Sequence, residues 1–429
     1  MNYKDTLEYL YSRLPAYHRI GKAAYKNNLD NTIALDDYFG HPHKNYRTIH
    51  IAGTNGKGSV SHMIASILME AGYRTGLYTS PHLKDFRERI RVDGKMIPEE
   101  EVVTFITEHR GIIESVQPSF FEVTAAMAFD HFLRKRVDVA VIETGMGGRL
   151  DSTNIITPVL SVITNIGHDH MDLLGETLEK IAGEKAGIIK KNIPVVIGET
   201  QPETMKVFSE AARISESPVY FADQNYICKP AEDTDDNEGK RYYVESRVLE
   251  KRLNVVIPLG GDYQARNIQT VFQASWCLKD VFSIDEKTVT EGIRKVISNT
   301  GLMGRWQILK NNPLVICDTG HNREGLEFVT GQISKMNVNR VHFVLGFVSD
   351  KDLSLVLPLF PVNADYYFTK ASVPRALDEK ILQKEALMYG LKGKCYNTVN
   401  DAFKAALSNA SPADLIFVGG STFVVAEVL

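Results

Sequence analysis

Cysteine is scarce in this chain. Four occur in 429 residues, Cys228, Cys277, Cys317 and Cys395, with no CxxC spacing among them. A disulfide framework and a cysteine zinc site are therefore excluded, and reduced thiols in the cytoplasm are expected. No apolar run reaches the roughly 18–20 residues that a membrane-spanning helix needs. The opening segment MNYKDTLEYLYSRLPAYHRI carries Asp5, Glu8 and Arg13 inside its apolar pattern. It reads as a short amphipathic helix, and a signal peptide is not expected. Neither sign of charge dominates: the net charge is -4 and the pI about 6.3. A global basic field for nucleic acid and a membrane-surface charge pattern are both missing, so neither partner is expected. Internal repeats and low-complexity tracts are missing too.

Hydrophobic residues make up 44% and charged residues 24% of the chain, as in ordinary globular proteins. The length exceeds what one core usually organises, so at least two domains are expected. From residue 48 short β-rich runs alternate with helical patterns. Strands are expected at 48–53, 74–80, 137–145, 159–167 and 193–199, with helices at 61–72 and 120–136 between them. This alternation predicts a mostly parallel sheet with helices on both faces. Residues 230–252 break the pattern and read as a peripheral antiparallel hairpin around an acidic turn. Helices follow at 265–279 and 286–298, then a linker at 299–305. Alternation then resumes, with strands at 314–320, 341–347, 365–370 and 414–420 and helices from Glu324, around 352–359 and near 376–389. The expected architecture is α/β: a mononucleotide-binding domain over 1–298 and a smaller C-terminal α/β domain over 306–429.

IHIAGTNGKGSVSHMIA puts a glycine-rich turn between a strand and a helix. Glycines let backbone N–H groups close around phosphate oxygens, and the helix N-terminus adds a favourable dipole. Thr54, Asn55, Gly56, Lys57, Gly58 and Ser59 are the candidate phosphate contacts, with Lys57 reaching the outer phosphates. The strict GxxxxGK[ST] pattern is not met: Ile51 stands where its first glycine belongs, and Gly58 separates Lys57 from Ser59. Glu143 ends an apolar strand and opens the turn ETGMGGR, a position where a carboxylate suits magnesium.

GTNGKGS, TSPHLKDFRERIRV (79–92), ETGMGGRLDSTN (143–154), ITNIGHDHMDLLGETLEKIAGEKAGIIK (163–190) and DTGHN (318–322) together resemble the folylpolyglutamate synthase and dihydrofolate synthase family, which belongs with the Mur ligases. The resemblance implies an ATP-dependent ligase. Such an enzyme phosphorylates a carboxylate and lets the amino group of glutamate displace phosphate from the acyl phosphate. Its substrates would be ATP, L-glutamate, dihydropteroate and reduced folates, in a bifunctional, monomeric enzyme. It also implies magnesium ligands at Ser80, Glu143 and His170, whereas general phosphate-loop logic points to Ser59 for the metal. Lys185 in GEKAGI matches a lysine the family carries N-carboxylated. Lys57, Lys185 and His170 are thus the catalytic candidates. Asn267, Arg305, Asp318 and His321 match ATP contacts, and closure of the smaller domain on the nucleotide is implied. Phe120, Phe121 and Glu122, with Leu150, Asp151 and Ser152, match the pterin-binding segments, and one phenylalanine of the pair could instead be core. The family usually has alanine before the histidine of DTGHN and proline after its asparagine, where this chain has Gly320 and Arg323. Two rival readings are a Mur-type ligase acting on a nucleotide-sugar peptide and a regulatory P-loop NTPase. The SPHL block argues against the first, and GEKAGI with a second domain carrying DTGHN argues against the second.

Overall fold

The computed structural model describes residues 1–15, 28–231, 239–247 and 250–429. The chain divides into two compact units, one of Met1–Pro258 with Gln264–Leu302 and one of Leu259–Tyr263 with Met303–Leu429.

The first unit is built on an eight-stranded sheet. Its strands are β1 (Arg47–Ala52), β2 (Thr75–Tyr78), β3 (Ile90–Val92), β4 (Lys95–Met96), β5 (Val139–Glu143), β6 (Leu160–Ile163), β7 (Val195–Ile197) and β8 (Val219–Phe221), in the order β4-β3-β2-β5-β1-β6-β7-β8. Neighbours from β2 to β8 pair in parallel, and β3 and β4 add an antiparallel edge. The central strands are mostly apolar and buried because helices cover both faces: every residue of β5 and β6 is buried. The β3–β4 hairpin turns on Asp93 and Gly94, both at positive φ. That two-residue Asp-Gly turn is a recognisable hairpin signal in the sequence.

A separate antiparallel sheet joins β9 (Tyr226–Pro230), β10 (Lys240–Ser246) and β11 (Lys251–Ile257) in the order β11-β10-β9. The expected hairpin is thus a three-stranded sheet, and its acidic stretch, 232–238, lies outside the described residues. The expected helix at 286–298 is two segments, Glu286–Arg294 and Val296–Thr300, broken at Lys295 and stopped by Gly301 in the left-handed region.

The second unit holds β12 (Gln307–Asn311), β13 (Leu314–Cys317), β14 (Val341–Leu345), β15 (Asp365–Thr369), β16 (Gly393–Tyr396) and β17 (Leu415–Gly419), in the order β12-β13-β17-β14-β15-β16. Only β12 is antiparallel. Its core centres on Phe343, Phe368 and Phe417, each 0% exposed. The helix expected around 352–359 is two short 3₁₀ turns, Leu353–Leu355 and Leu357–Leu359. Pro358 lacks the N–H that a continuous α-helix would need there.

Helix Lys57–Glu70, which follows β1, is held from behind by helix Glu286–Arg294. Ser66 Oγ donates to the Gly292 carbonyl at 2.6 Å, and a Cβ on Gly292 would sit 2.6 Å from Ile67 Cα. Alanine is ordinarily worth about 1 kcal/mol over glycine inside a helix. At position 292 that gain is outweighed by a backbone clash. Gly292→Ala is expected to destabilise the protein by about 1–3 kcal/mol in denaturant unfolding. A stabilised variant would contradict this packing.

Candidate functional site

Four adjacent parallel strands, β2-β5-β1-β6, end at one edge of the first sheet, and the loops leaving them carry most of the expected site residues. The phosphate loop follows β1, Ser80 follows β2, Glu143 is the last residue of β5, and His170 lies in the loop after β6. Ligands of open α/β sheets gather at this carboxyl edge.

The phosphate loop is fastened to the loop after β6. Thr54 N donates to the Asn165 carbonyl (2.9 Å) and Asn55 N to Asn165 Oδ1 (2.8 Å). Thr54 Oγ1 exchanges hydrogen bonds with the Gly167 backbone, and Thr164 Oγ1 donates to the Asn55 carbonyl at 2.5 Å. Two glycines are required here. Gly53 (φ +144°) faces the Thr164 side chain and Gly56 (φ +85°) faces Asn267 Oδ1, each so closely that a Cβ would collide. Asn267 is oriented by Gln264, whose Oε1 accepts from Asn267 Nδ2 at 2.8 Å while its Nε2 donates to the buried Ser59 Oγ at 3.4 Å. Asn267 and Ser59 therefore belong to the loop's own scaffold. Asn165 is clamped in turn by Glu199, which Arg266 also pairs. Thr164, Asn165, Gln264 and Glu199 were not singled out from sequence. Thr164, Asn165 and Gln264 lay inside motifs, in ITNIG and QARN, but their contacts to the loop come from residues distant in the chain.

Two lysines converge on one backbone oxygen. Lys57 Nζ donates to the carbonyls of Gly53 (2.9 Å) and Thr54 (3.1 Å), and Lys185 Nζ donates to the same Gly53 carbonyl at 2.9 Å. Lys185 lies on helix Leu178–Ala186 and is only 4% exposed. Burial, reinforced by the neighbouring charge of Lys57, pushes its ammonium down from 10.5 to about 7.

Glu143 is 3% exposed, and its Oε2 accepts the backbone N–H of Ser80 at 3.0 Å. That contact places a carboxylate beside the serine. His170 has left-handed backbone (φ 51°) and a half-buried side chain 4.0 Å from Asp169 Oδ2. A carboxylate, a hydroxyl and an imidazole are each donor types that a divalent ion accepts, the oxygens favouring magnesium, and the contact between Glu143 and Ser80 joins two of these residues.

The two phenylalanines separate. Phe120 is core: it stacks on Tyr11 (5.6 Å) and meets Phe86 edge-on (5.9 Å). Phe121 is half-buried, 5.9 Å from the Tyr78 ring and against Gly145, where a Cβ would lie 2.5 Å from the Phe121 ring. Glu122 forms a capping box with Ser119 at the start of helix Phe120–Arg134. Asp151 holds the turn after Glu143, its Oδ2 accepting from Gly145 N (2.8 Å) and Met146 N (2.9 Å) and its Oδ1 from Thr153 N and Oγ1. Thr153 Oγ1 also meets His50 on β1 at 2.8 Å. Ser152 is buried in the 3₁₀ turn Ser152–Ile155, and Leu150 beside it is half-buried. A buried arginine unremarked in the sequence, Arg89, reaches His82 Nδ1 at 2.7 Å and lies over the Phe120 ring.

Arg305, Asp318 and His321 belong to the second unit. Asp318 is buried at the end of β13 and saturated with donors: Tyr263 Oη and Trp306 N to Oδ2, and Gly320 N to Oδ1, each at 2.7 Å. Burial raises its pKa. Arg305 bonds Thr319 and the Gly304 carbonyl, and His321 Nδ1 meets the Thr319 carbonyl at 3.0 Å. Asn322 caps helix Arg323–Ile333. Arg323 is then the first helical residue, a position that accepts proline and most other residues alike. Gly320 keeps the N–H that holds Asp318. Both departures from the family pattern are thus compatible with the turn.

The chain matches the Mur ligase middle domain over residues 51–274 and the Mur ligase glutamate ligase domain over residues 304–422. It is 32% identical to the dihydrofolate synthase/folylpolyglutamate synthase of Bacillus subtilis (strain 168), with 99% of this chain and 98% of that protein aligned. It is 33% identical to the Escherichia coli (strain K12) protein of the same name, over 88% and 85% of the two chains. Among solved structures, E. coli FolC in complex with DHPP and ADP superposes with a TM-score of 0.86 at 28% identity, covering 100% of this chain and 97% of that one. Folylpolyglutamate synthase from Thermotoga maritima gives 0.82 at 33% identity, covering 99% and 95%. With both domains matched and the likeness running end to end, the chain belongs to the dihydrofolate synthase/folylpolyglutamate synthase family of Mur ligases.

Proposed function

We propose that this chain joins L-glutamate to dihydropteroate and to reduced folates, consuming ATP and releasing ADP and phosphate. The observation that carries the reading is the phosphate loop on which Lys57 and Lys185 converge, in a chain alike along its length to relatives named for both activities. A carboxylate is a poor acyl donor because oxide would have to leave. Transfer of the γ-phosphoryl group to the carboxylate oxygen, with ADP departing, supplies a better leaving group. The amine of glutamate then attacks the acyl carbon, the amide C–N bond forms, and the C–O bond to phosphate breaks as the amine loses its proton. Phosphoryl transfer is mainly a matter of positioning and charge. Lys57 supplies a cation at the loop, and since Thr54 N and Asn55 N are taken by Asn165, the N–H groups of the following residues, Gly56 to Ser59, are the ones to hold the phosphates.

Magnesium is the proposed cofactor, held by Ser80, Glu143 and His170, and it would supply further positive charge against the γ-phosphate. Arg305, Asp318, His321 and Asn267 are proposed as nucleotide contacts, Asp318 and Asn267 acting through the turns they hold. Phe121 is the proposed stacking surface for the pterin, with Leu150 and Ser152 beside it. Phe120, Glu122 and Asp151 support that pocket from beneath. The four free thiols fit a reducing compartment, the cytoplasm.

We also propose N-carboxylation of Lys185. An amine held near pKa 7 is largely neutral at physiological pH. Its lone pair can attack CO2, forming an N–C bond and releasing a proton. The neighbouring Lys57, whose charge disfavours the ammonium, favours the resulting carbamate anion.

Two measurements check these assignments. With Mg-ATP and glutamate, ADP release is expected to rise on adding either dihydropteroate or tetrahydrofolate. If only a muramyl-peptide precursor stimulates release, the substrate assignment fails. Labelled bicarbonate should give a carbamate carbon signal by NMR that Lys185→Met abolishes along with ligase turnover. The unfolded chain protonates Lys185 below about 10.5, whereas the folded chain does so only below about 7. Lys185 therefore makes stability fall as pH drops from about 10 toward 7. Lys185→Met should remove this slope, and its Tm at pH 7 should be no lower than that of the wild type. A wild-type pH slope retained in the variant would contradict the assignment.

A further inference from the structure

A second cluster of metal-type donors lies on the first unit, in the segment that leads into β1. Helix Asp30–Tyr38 ends at Phe39, and Gly40 (φ +70°) and His41 (φ 56°) then take left-handed backbone in succession. This reversal, closed by His41 N donating to the Asp36 carbonyl at 2.9 Å, swings His41 back over the helix it has just left. Left-handed backbone is unfavourable for a non-glycine residue. Pro42 starts the short 3₁₀ turn Pro42–Asn45, which points His43 at the same spot. His41 Nδ1 and His43 Nε2 both approach one carboxylate oxygen, Asp36 Oδ2, at 2.6 and 3.2 Å. The three donor atoms lie within 4.8 Å of one another.

Two further features distinguish this group from an ordinary hydrogen-bonded pair. The other oxygen, Asp36 Oδ1, is buried without a hydrogen-bond partner. An unsatisfied carboxylate oxygen is costly, and a cation beside it would offset that cost. His41 also presents its second nitrogen, Nε2, to Asp37 Oδ1 at 3.7 Å. That distance is beyond a hydrogen bond, but a small rotation of the exposed Asp37 side chain would bring its carboxylate behind the far nitrogen, the usual outer arrangement of imidazole–metal sites.

We propose that Asp36, His41 and His43 bind a divalent transition-metal ion, Zn²⁺ foremost, as a site separate from the nucleotide edge. Zinc bonds of about 2.0–2.1 Å put tetrahedral donors about 3.3 Å apart, so the His41–Asp36 pair at 2.6 Å has to open while donors that lie within 4.8 Å of one another gather round the ion. Two imidazoles and one carboxylate select a borderline ion over magnesium. Three protein ligands leave a fourth position for water, which makes the site exchangeable. It precedes the first residue of β1, whereas the phosphate loop follows the last. A six-residue strand spans roughly 20 Å, so the ion would take no direct part in phosphoryl transfer.

The test is Zn²⁺ titration of the full-length protein by calorimetry, with excess Mg²⁺ present to occupy the hard-cation site. One saturable equivalent is expected in the wild type, absent from His41→Gln and His43→Gln. Asp37→Asn should weaken it about tenfold. Co²⁺ in place of zinc should give visible d–d absorption that disappears in the same two variants. His41 is half-exposed and outside the nucleotide edge, so His41→Gln should stay folded and keep ligase activity while its metal-free Tm falls slightly with the lost 2.6 Å contact to Asp36, and loss of binding then reports on the site. No saturable binding in the wild type, or equal binding in His41→Gln and His43→Gln, overturns the proposal.

Discussion

The carbonyl oxygen of Gly53 receives both Lys57 and Lys185, and the arrangement of the nucleotide edge depends on it. Residue 53 is held to glycine by its other neighbour. At φ +144° a Cβ would run into Thr164, which in turn anchors the loop through Asn55. One backbone position thus joins the loop after β1, the loop after β6 and helix Leu178–Ala186. Two cations on a single neutral acceptor also set the electrostatics. Burial and the neighbouring Lys57 charge make Lys185 give up its proton readily, leaving an amine available for chemistry.

In each of its two units the chain keeps buried carboxylates, and they serve two purposes. Asp151 and Asp318 are each saturated by backbone and hydroxyl donors, and each holds a turn, one after β5 and one after β13. Glu143 accepts the N–H of Ser80 and stays at the strand end where a cation would be held. The turn-holding acids pre-organise the backbone, and an active site needs its donors fixed before substrate arrives.

Much of this was legible in the sequence. Parallel strands covered on both faces read as continuous apolar runs, so the alternation that begins at residue 48 could be read directly. The β3–β4 hairpin carried its Asp93-Gly94 signal just past the stretch 79–92, which was read for its motif. The break at Lys295 and the 3₁₀ turns around Pro358 had weaker signals, because periodicity alone does not locate interruptions. In the site, the glycine loop, Glu143 and Lys185 were visible as motifs, but the convergence on Gly53 was not. It depends on contacts between residues 53 and 185, and 55 and 165, which no local pattern encodes. Asp151 and Glu122 stood in matched segments and turned out to hold backbone. Which Phe of the 120–121 pair faces inward is decided by Tyr11 and Phe86, both far from it in sequence. The Asp36, His41 and His43 group is close in sequence, yet its convergence needs two left-handed residues that DDYFGHPH does not announce.

The most direct test of the Gly53 account is the ADP affinity of Gly53→Ala, measured by calorimetry beside its thermal unfolding. The account predicts a folded protein whose ADP binding is weakened at least a hundredfold, because the loop, Thr164 and both lysines lose their common point. Wild-type affinity in a variant with unchanged Tm would show that the convergence on Gly53 does not organise the site.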